Sequence, residues 1–276
     1  MSFGKTASKN HGVSPVKAAP LDPAAVAARF IASAPAAGFR VERLGETASG
    51  PLIALTKRTP GPRPRIYLSA GIHGDEPAPP LALLEMLEAG RFDSRADWFL
   101  CPLLNPNGLA RGQRENADGL DLNRDYKDLR SAEARAHVAW LQRQPNFIVT
   151  LSIHEDWEST GYYLYELNPG QRPSLAEPMI AAVTSVCPID HAPLIDGRES
   201  KGGILRPVSD PLLRENWPEP IYLRAHHTSQ SYTLETPSAF PLAERIAAHR
   251  VALETAINLT ARDWRKTPAN PPAAES

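Results

Sequence analysis

Arg65-Ile-Tyr-Leu-Ser-Ala-Gly-Ile-His-Gly-Asp-Glu-Pro77 is the stretch on which the reading of the fold turns. Residues 65–70 are short, apolar and β-prone, and Gly71 punctuates their end. The polar His73-Gly-Asp-Glu76 leads into residues 81–87, whose apolar spacing suits a helix that Gly90 closes. The order is therefore strand, polar turn, helix. Residues 98–104 repeat the buried-strand signal and end in Asn105-Pro-Asn-Gly108, a strong turn sequence. Residues 147–153, Phe-Ile-Val-Thr-Leu-Ser-Ile, form the clearest strand in the chain and deliver His154 at its end.

The rest of the chain extends this pattern. Pro23 sits in the first turn of a predicted helix with Asp22 as its cap. Residues 40–44 and 51–57 read as two strands joined by a Gly/Ser turn, and 132–141 as an amphipathic helix. A strand is expected over 161–167, a helix near 175–186, a last strand over 231–235 and a long closing helix over 241–264. Residues 193–220 are rich in Gly and Pro with little period, and a loop of that length in a compact domain is often functional. Strands alternating with helices, with no linker between, predict a single α/β domain over 23–265. Residues 1–22 and 266–276 lack an apolar period and are expected to be flexible tails.

Composition narrows the function. The 276 residues carry 30 Lys and Arg against 31 Asp and Glu, a net charge of −1. That balance speaks against phosphate-neutralising nucleic-acid binding and against a polybasic membrane surface. No apolar run reaches the 18 or so residues that a bilayer requires, and the first 20 residues have no secretory apolar core. The expectation is a cytoplasmic protein with no nucleic-acid or membrane partner, its oligomeric state left open. Cys101 and Cys187 are the only cysteines. Their spacing fits no disulfide framework, and Cys101 sits in an apolar run that suits a buried thiol.

Four polar segments fall where strands meet loops: His73 to Glu76, Arg114 to Arg124, His154, and Glu235. Open α/β sheets place ligand sites at the carboxyl ends of their strands. His73 and Glu76, three apart on a turn, can bring an imidazole and a carboxylate to one cation, and His154 is a natural third ligand. Hydrolytic zinc sites use three protein ligands and one open position. On spacing alone, a local polar turn and a strand-end histidine account for the same residues.

The order of motifs resembles the zinc metallocarboxypeptidases: HxxE (His73, Glu76), an Arg (Arg114), D-x-N-R (Asp121-Leu-Asn-Arg124), a His (His154) and a late Glu (Glu235). Residues 114–124 and the turn at Asn105 look most like the murein-peptide amidase branch, and the short gap of 77 residues between Glu76 and His154 is similar to that of the compact amidase and acyl-amino-acid deacylase relatives. The resemblance covers about residues 65–240. It implies one α/β domain with a mixed twisted central sheet flanked by helices on both faces, and one bound Zn2+ held by His73, Glu76 and His154. Asp121 would orient a ligating imidazole; capping the loop after a turn is its plainer role. Glu235 would act as the base on a zinc-bound water; a salt bridge to an Arg is its plainer role. Arg114 would face the developing oxyanion, while Asn123 and Arg124 would clamp a substrate carboxylate. A solvated surface charge is the ordinary fate of either Arg.

The function implied is hydrolysis of an amide (peptide) bond next to a free carboxylate, on a small peptide. An N-acyl amino-acid substrate, as in the succinylglutamate desuccinylase and aspartoacylase relatives, is the alternative. A binding protein that keeps the fold without catalysis is the third reading. No Tyr stands some twenty residues before Glu235, where larger members have one. Tyr162, Tyr163, Tyr165 and Tyr222 are expected to be half-buried aromatics. Glu155 and Asp156 are expected to be solvated loop charges, and His226 and His227 structural.

Overall fold

The computed structural model describes residues 20–170 and 172–266. Most of the first expected tail and nearly all of the second lie outside those residues. Within them, Leu21 N–H bonds to Leu109 O at 3.0 Å. Asp22 caps helix α1 (Pro23–Ser33) as its sequence predicts, accepting Ala25 N–H at 2.9 Å.

Ten strands form one mixed sheet. In chain order they are β1 (Arg40–Thr47), β2 (Gly50–Lys57), β3 (Arg65–Ala70), β4 (Asp97–Cys101), β5 (Val149–Asp156), β6 (Tyr163–Leu167), β7 (Leu194–Ile195), β8 (Arg198–Lys201), β9 (Ile204–Leu205) and β10 (Ser231–Pro237). Their spatial order is β1-β2-β4-β3-β5-β10-β6-β9-β8-β7. Strands β4, β3, β5 and β10 are parallel neighbours at the centre, and β2 and β6 flank them antiparallel. Chain order runs one way from β3 to β4 and the other way to β5. The crevice between the carboxyl ends of β3 and β5 is therefore the switch point at which α/β sheets bind ligands.

Helices cover both faces, as expected. The remaining ones are α2 (Ala78–Glu88), α3 (Pro106–Arg111), α4 (Ala132–Leu141), α5 (Ala176–Val183), α6 (Glu219–His226) and α7 (Leu242–Lys266). Helices α1, α2, α5 and α7 pack over one face of the sheet, on a core that includes Ile66, Leu68, Leu151, Ile153, Tyr232 and Leu234. The other face, under α4 and α6, has an aromatic cluster of Tyr67, Phe99, Trp140, Phe147 and Tyr222. The period-two alternation of strands sorts the central sequences between the faces. Ile66, Leu68, Leu151, Ile153, Tyr232 and Leu234 go to the apolar face, while Ser69, Ser152, His154, Thr233 and Glu235 go to the opposite one.

Two details differ from the sequence reading. The strand expected over 98–104 stops at Cys101, because Pro102 has no N–H to continue a ladder. The turn expected at Asn105 instead opens α3, with Asn105 accepting Gly108 N–H at 2.9 Å as its cap. The stretch 193–220 is not one long loop. It contains the short strands β7 to β9 and the 3-10 turn Pro211–Leu213, and α6 begins within it.

Candidate metal and substrate cleft

His73 lies just past β3, on a turn held by backbone contact. Asn105 donates its side-chain amide to Ile72 O and Arg114 O, both at 3.2 Å. Gly74 packs directly against Gly108: a Cβ placed on it would lie 1.9 Å from the Gly108 carbonyl carbon. The HxxE turn therefore has its shape because the 105–114 segment presses on it. His154 comes from the last part of β5, and Glu235 is its neighbour on β10 in parallel register.

These elements bring His73, Glu76 and His154 together, all buried, with one nitrogen or oxygen from each within 4.8 Å of the others. His73 Nδ1 lies 2.5 Å from Glu76 Oε1, and His154 Nδ1 lies 3.0 Å from Glu76 Oε2. Each carboxylate oxygen thus meets one imidazole nitrogen. Two imidazoles and one carboxylate, buried and facing a cavity, are the donor set that zinc prefers, with room for a fourth ligand. The chemistry of the residues fits the ion.

Asp121 surrounds this cluster from the other side. Its Oδ1 receives His73 Nε2 at 3.3 Å, and its Oδ2 receives Arg114 Nε at 3.0 Å. A proton on His73 Nε2 would suit this bond and leave Nδ1 as the nitrogen available to a cation shared with Glu76. Asp121 also takes its plainer role: Oδ1 accepts Asn123 N–H at 2.9 Å, capping the 3-10 turn Leu122–Arg124. Burial opposes the charge of Asp121, yet His73, Arg114 and Arg124 hold it well below the usual carboxylate range. Glu76 behaves likewise: burial is outweighed by His73 and His154, which hold it low. Glu235 is pushed the other way, by burial first and then by the charges of Glu76 and Asp156, with His154 opposing.

Arg114, Asn123, Arg124, Tyr163, Thr233 and Glu235 line one cleft with the metal-type cluster, a cavity of about 1350 Å³. Arg114 is a third exposed and engaged with Asp121, so it is not a free surface charge. Asn123 Oδ1 accepts Glu219 N–H at 2.9 Å. Arg124 donates to Asn123 O at 2.7 Å and lines the cleft.

Several residues behave differently from their sequence reading. Glu155 is not a solvated loop charge. It is 5% exposed, accepts Ala78 N–H at 2.6 Å and is ion-paired with Arg245. Burial pushes its carboxyl up to about 7, with Arg245 opposing. Asp156 lines the cleft and accepts Tyr163 Oη–H at 2.8 Å. Tyr162 and Tyr163 are buried rather than half-buried, and Tyr222, also buried, lines a separate concavity with His226 and His227. Sequence reasoning missed Asn105 as the brace of the metal turn. It also missed Glu219, a buried carboxylate bonded by Tyr67, Ser69 and Ser152. Only the proline-flanked start of α6 marked that position.

Comparison with known proteins bears on the fold. Residues 62–185 match the succinylglutamate desuccinylase/aspartoacylase catalytic domain. A solved structure from Shewanella amazonensis, assigned to the metallopeptidases, superimposes with a TM-score of 0.75 at 27% identity, over 85% of this chain and 92% of that one. The fold is that of the metallocarboxypeptidases. A metallo-carboxypeptidase from Pseudomonas aeruginosa shares this metallocarboxypeptidase-like fold at TM-score 0.60 and 21% identity, over 84% of this chain and 68% of that one. Carboxypeptidase SOL1 of Arabidopsis thaliana is 29% identical over 112 residues, 33% of this chain. That match spans 23% of the curated relative's length. His73 to His154 lie inside the matched range 62–185, and Glu235 lies beyond it.

Proposed function

We propose that this chain is a zinc-dependent hydrolase that cleaves an amide bond adjacent to a free carboxylate. The observation that carries the reading is the buried meeting of His73, Glu76 and His154, with Glu235 set beside His154 at the wall of the same cleft. His73, Glu76 and His154 would hold the ion, and Asp121 would orient His73. A zinc ion there supplies a Lewis acid that polarises a carbonyl and acidifies water.

The protein's own residues account for the remaining steps. Glu235 takes a proton from the attacking water and passes it to the leaving nitrogen. Arg114, fixed through Nε by Asp121 and with Nη1 3.3 Å from His73 Nδ1, would turn its guanidinium toward the oxygen of the tetrahedral carbon. Arg124 and the amide nitrogen of Asn123 clamp the substrate carboxylate, a task that suits the forked guanidinium. The Pseudomonas aeruginosa relative is in complex with (2-guanidinoethylmercapto)succinic acid, a carboxylate-bearing molecule consistent with such a clamp. A cytoplasmic setting agrees with two buried, unpaired cysteines. Among the described residues no helix is long and apolar enough to cross a membrane.

A second reading keeps the site and changes the substrate to an N-acyl amino acid. The match of residues 62–185 to the succinylglutamate desuccinylase/aspartoacylase domain favours it. Metal analysis of the purified protein, with hydrolysis assayed before and after chelation, tests the common claim. Protein without stoichiometric zinc whose hydrolysis survives chelation would refute it. Short peptides assayed beside N-acyl amino acids separate the two substrate classes.

A further inference from the structure

Each of the two strands that carry the candidate chemistry places a polar residue immediately after its key side chain. On β5 it is Glu155 after His154; on β10 it is Thr236 after Glu235. The alternation of a strand sends both to the opposite face, under α7. There Glu155 meets Arg245, and Thr236 Oγ1 lies 3.0 Å from His249 Nε2. A polar layer thus stands directly behind the cleft, inside an otherwise apolar core.

The Glu155 carboxylate occupies a particular junction in that layer. Helix α2 begins two residues after Glu76, and its N-cap is Pro77, which makes no side-chain capping bond. The missing acceptor comes from across the sheet: Glu155 Oε1 takes Ala78 N–H at 2.6 Å. A carboxylate at this end of a helix satisfies an orphan donor and complements the helix dipole. The other oxygen is bound by the Arg245 guanidinium on α7. One side chain therefore ties the strand carrying His154 to the helix start that carries Glu76.

We propose that Glu155 and Arg245 are positioning residues for the metal site, setting the separation of His154 and Glu76. The inference rests on the metal reading given above. It predicts that zinc affinity, and not stability alone, depends on a carboxylate and a guanidinium that meet on the face of the sheet opposite the ligands.

The test uses the full chain, stripped of metal and titrated with zinc against a chromophoric chelator, beside its melting temperature. Glu155→Gln and Arg245→Met are expected to weaken zinc binding 10–100-fold, the usual cost of losing a partner behind a ligand. Arg245→Lys, which keeps the charge, should recover part of that loss. Arg250→Met is the control, because Arg250 also ties α7 to α2, through Glu85 at 2.8 Å, but away from the cluster. It should shift the melting temperature and leave zinc affinity unchanged. Zinc affinity within twofold of wild type in folded Glu155→Gln would overturn the proposal. Should that variant fail to fold, the same result in Arg245→Met overturns it. Wild-type protein that binds no zinc counts against both this inference and the hydrolase reading. Wild-type protein that binds zinc but cleaves no amide refutes only the hydrolase reading.

Discussion

Glu235 and His154 are register partners on adjacent parallel strands. Partners in a parallel ladder point to the same face, so the candidate base stands beside a candidate ligand by virtue of backbone pairing. The pairing ties the two positions without any direct bond between their side chains.

That relationship makes Glu235→Gln the sharpest probe of the mechanism. The amide keeps the shape and removes the proton acceptor. Turnover should fall by about 10²–10⁴-fold, the usual contribution of a positioned acid–base group, while zinc content stays stoichiometric. Full activity in the variant would remove Glu235 from the mechanism.

Arg114 is held by Asp121 through Nε, so its role depends on a planar fork and not merely on charge. Arg114→Met should lower kcat/KM by roughly 10²–10³-fold, equivalent to about 2.7–4 kcal/mol. Arg114→Lys should recover little of that, because it cannot hold Asp121 and the oxyanion together. Recovery to wild-type kcat/KM in the lysine variant would show that charge alone suffices.

Gly74 has no room for a side chain, with Gly108 C and Gln113 O lying 1.9 and 2.3 Å from where a Cβ would stand. Both obstacles are backbone, so Gly74→Ala must move the turn that carries His73 and Glu76. A loss of about 1–3 kcal/mol in urea unfolding is expected, as for overpacked sites, accompanied by weakened zinc binding. Wild-type values of both would contradict the close approach.

His137 provides a pH test remote from the cleft. Tyr67 gives its own proton to Glu219, so His137 Nε2–H donates to Tyr67 Oη at 2.9 Å, and Tyr126 Oη–H donates to His137 Nδ1 at 2.6 Å. Both ring nitrogens are satisfied by the neutral form. Burial, helped by His227, drives the imidazole down to about 3 from its ordinary 6.5. The folded value is the depressed one, so the unfolded chain binds the extra proton. The associated stability is present above pH 6.5 and is lost as pH falls toward 3, at up to about 1.4 kcal/mol per unit. His137→Gln should therefore show a shallower decline in unfolding free energy over that window. Parallel slopes for the variant and wild type would refute the assignment.

Metal removal should act on stability as well as turnover. A ligand that binds only the folded chain stabilises it by about 2.7 kcal/mol when present at a hundred times its dissociation constant. The melting temperature should rise with added zinc and fall with chelator. A melting temperature indifferent to both would argue against a folded-state site.

The parts legible in the sequence are those encoded locally. The helix after Asp22 needs a cap and a proline within a few residues, and β5 needs only an apolar run ending at His154. The candidate ligands were legible because their motifs have short fixed spacings within 73–76 and 121–124. Glu155 was illegible because what buries it is Arg245, 90 residues away, and nothing beside it in the chain announces that partner. Helix α6 escaped for a related reason. It opens on Pro218-Glu-Pro220, reads as loop, and is held in place by Asn123 and by the buried carboxylate of Glu219.

The ladder between β5 and β10 also limits how this gene can change. The connection over 206–216, mostly exposed, can gain or lose codons at modest cost. A single-codon insertion between Ser231 and Glu235 would rotate the acid away from the cleft and put Leu234 in its place. Length variation among descendants of this chain should therefore accumulate around that strand and be absent within it.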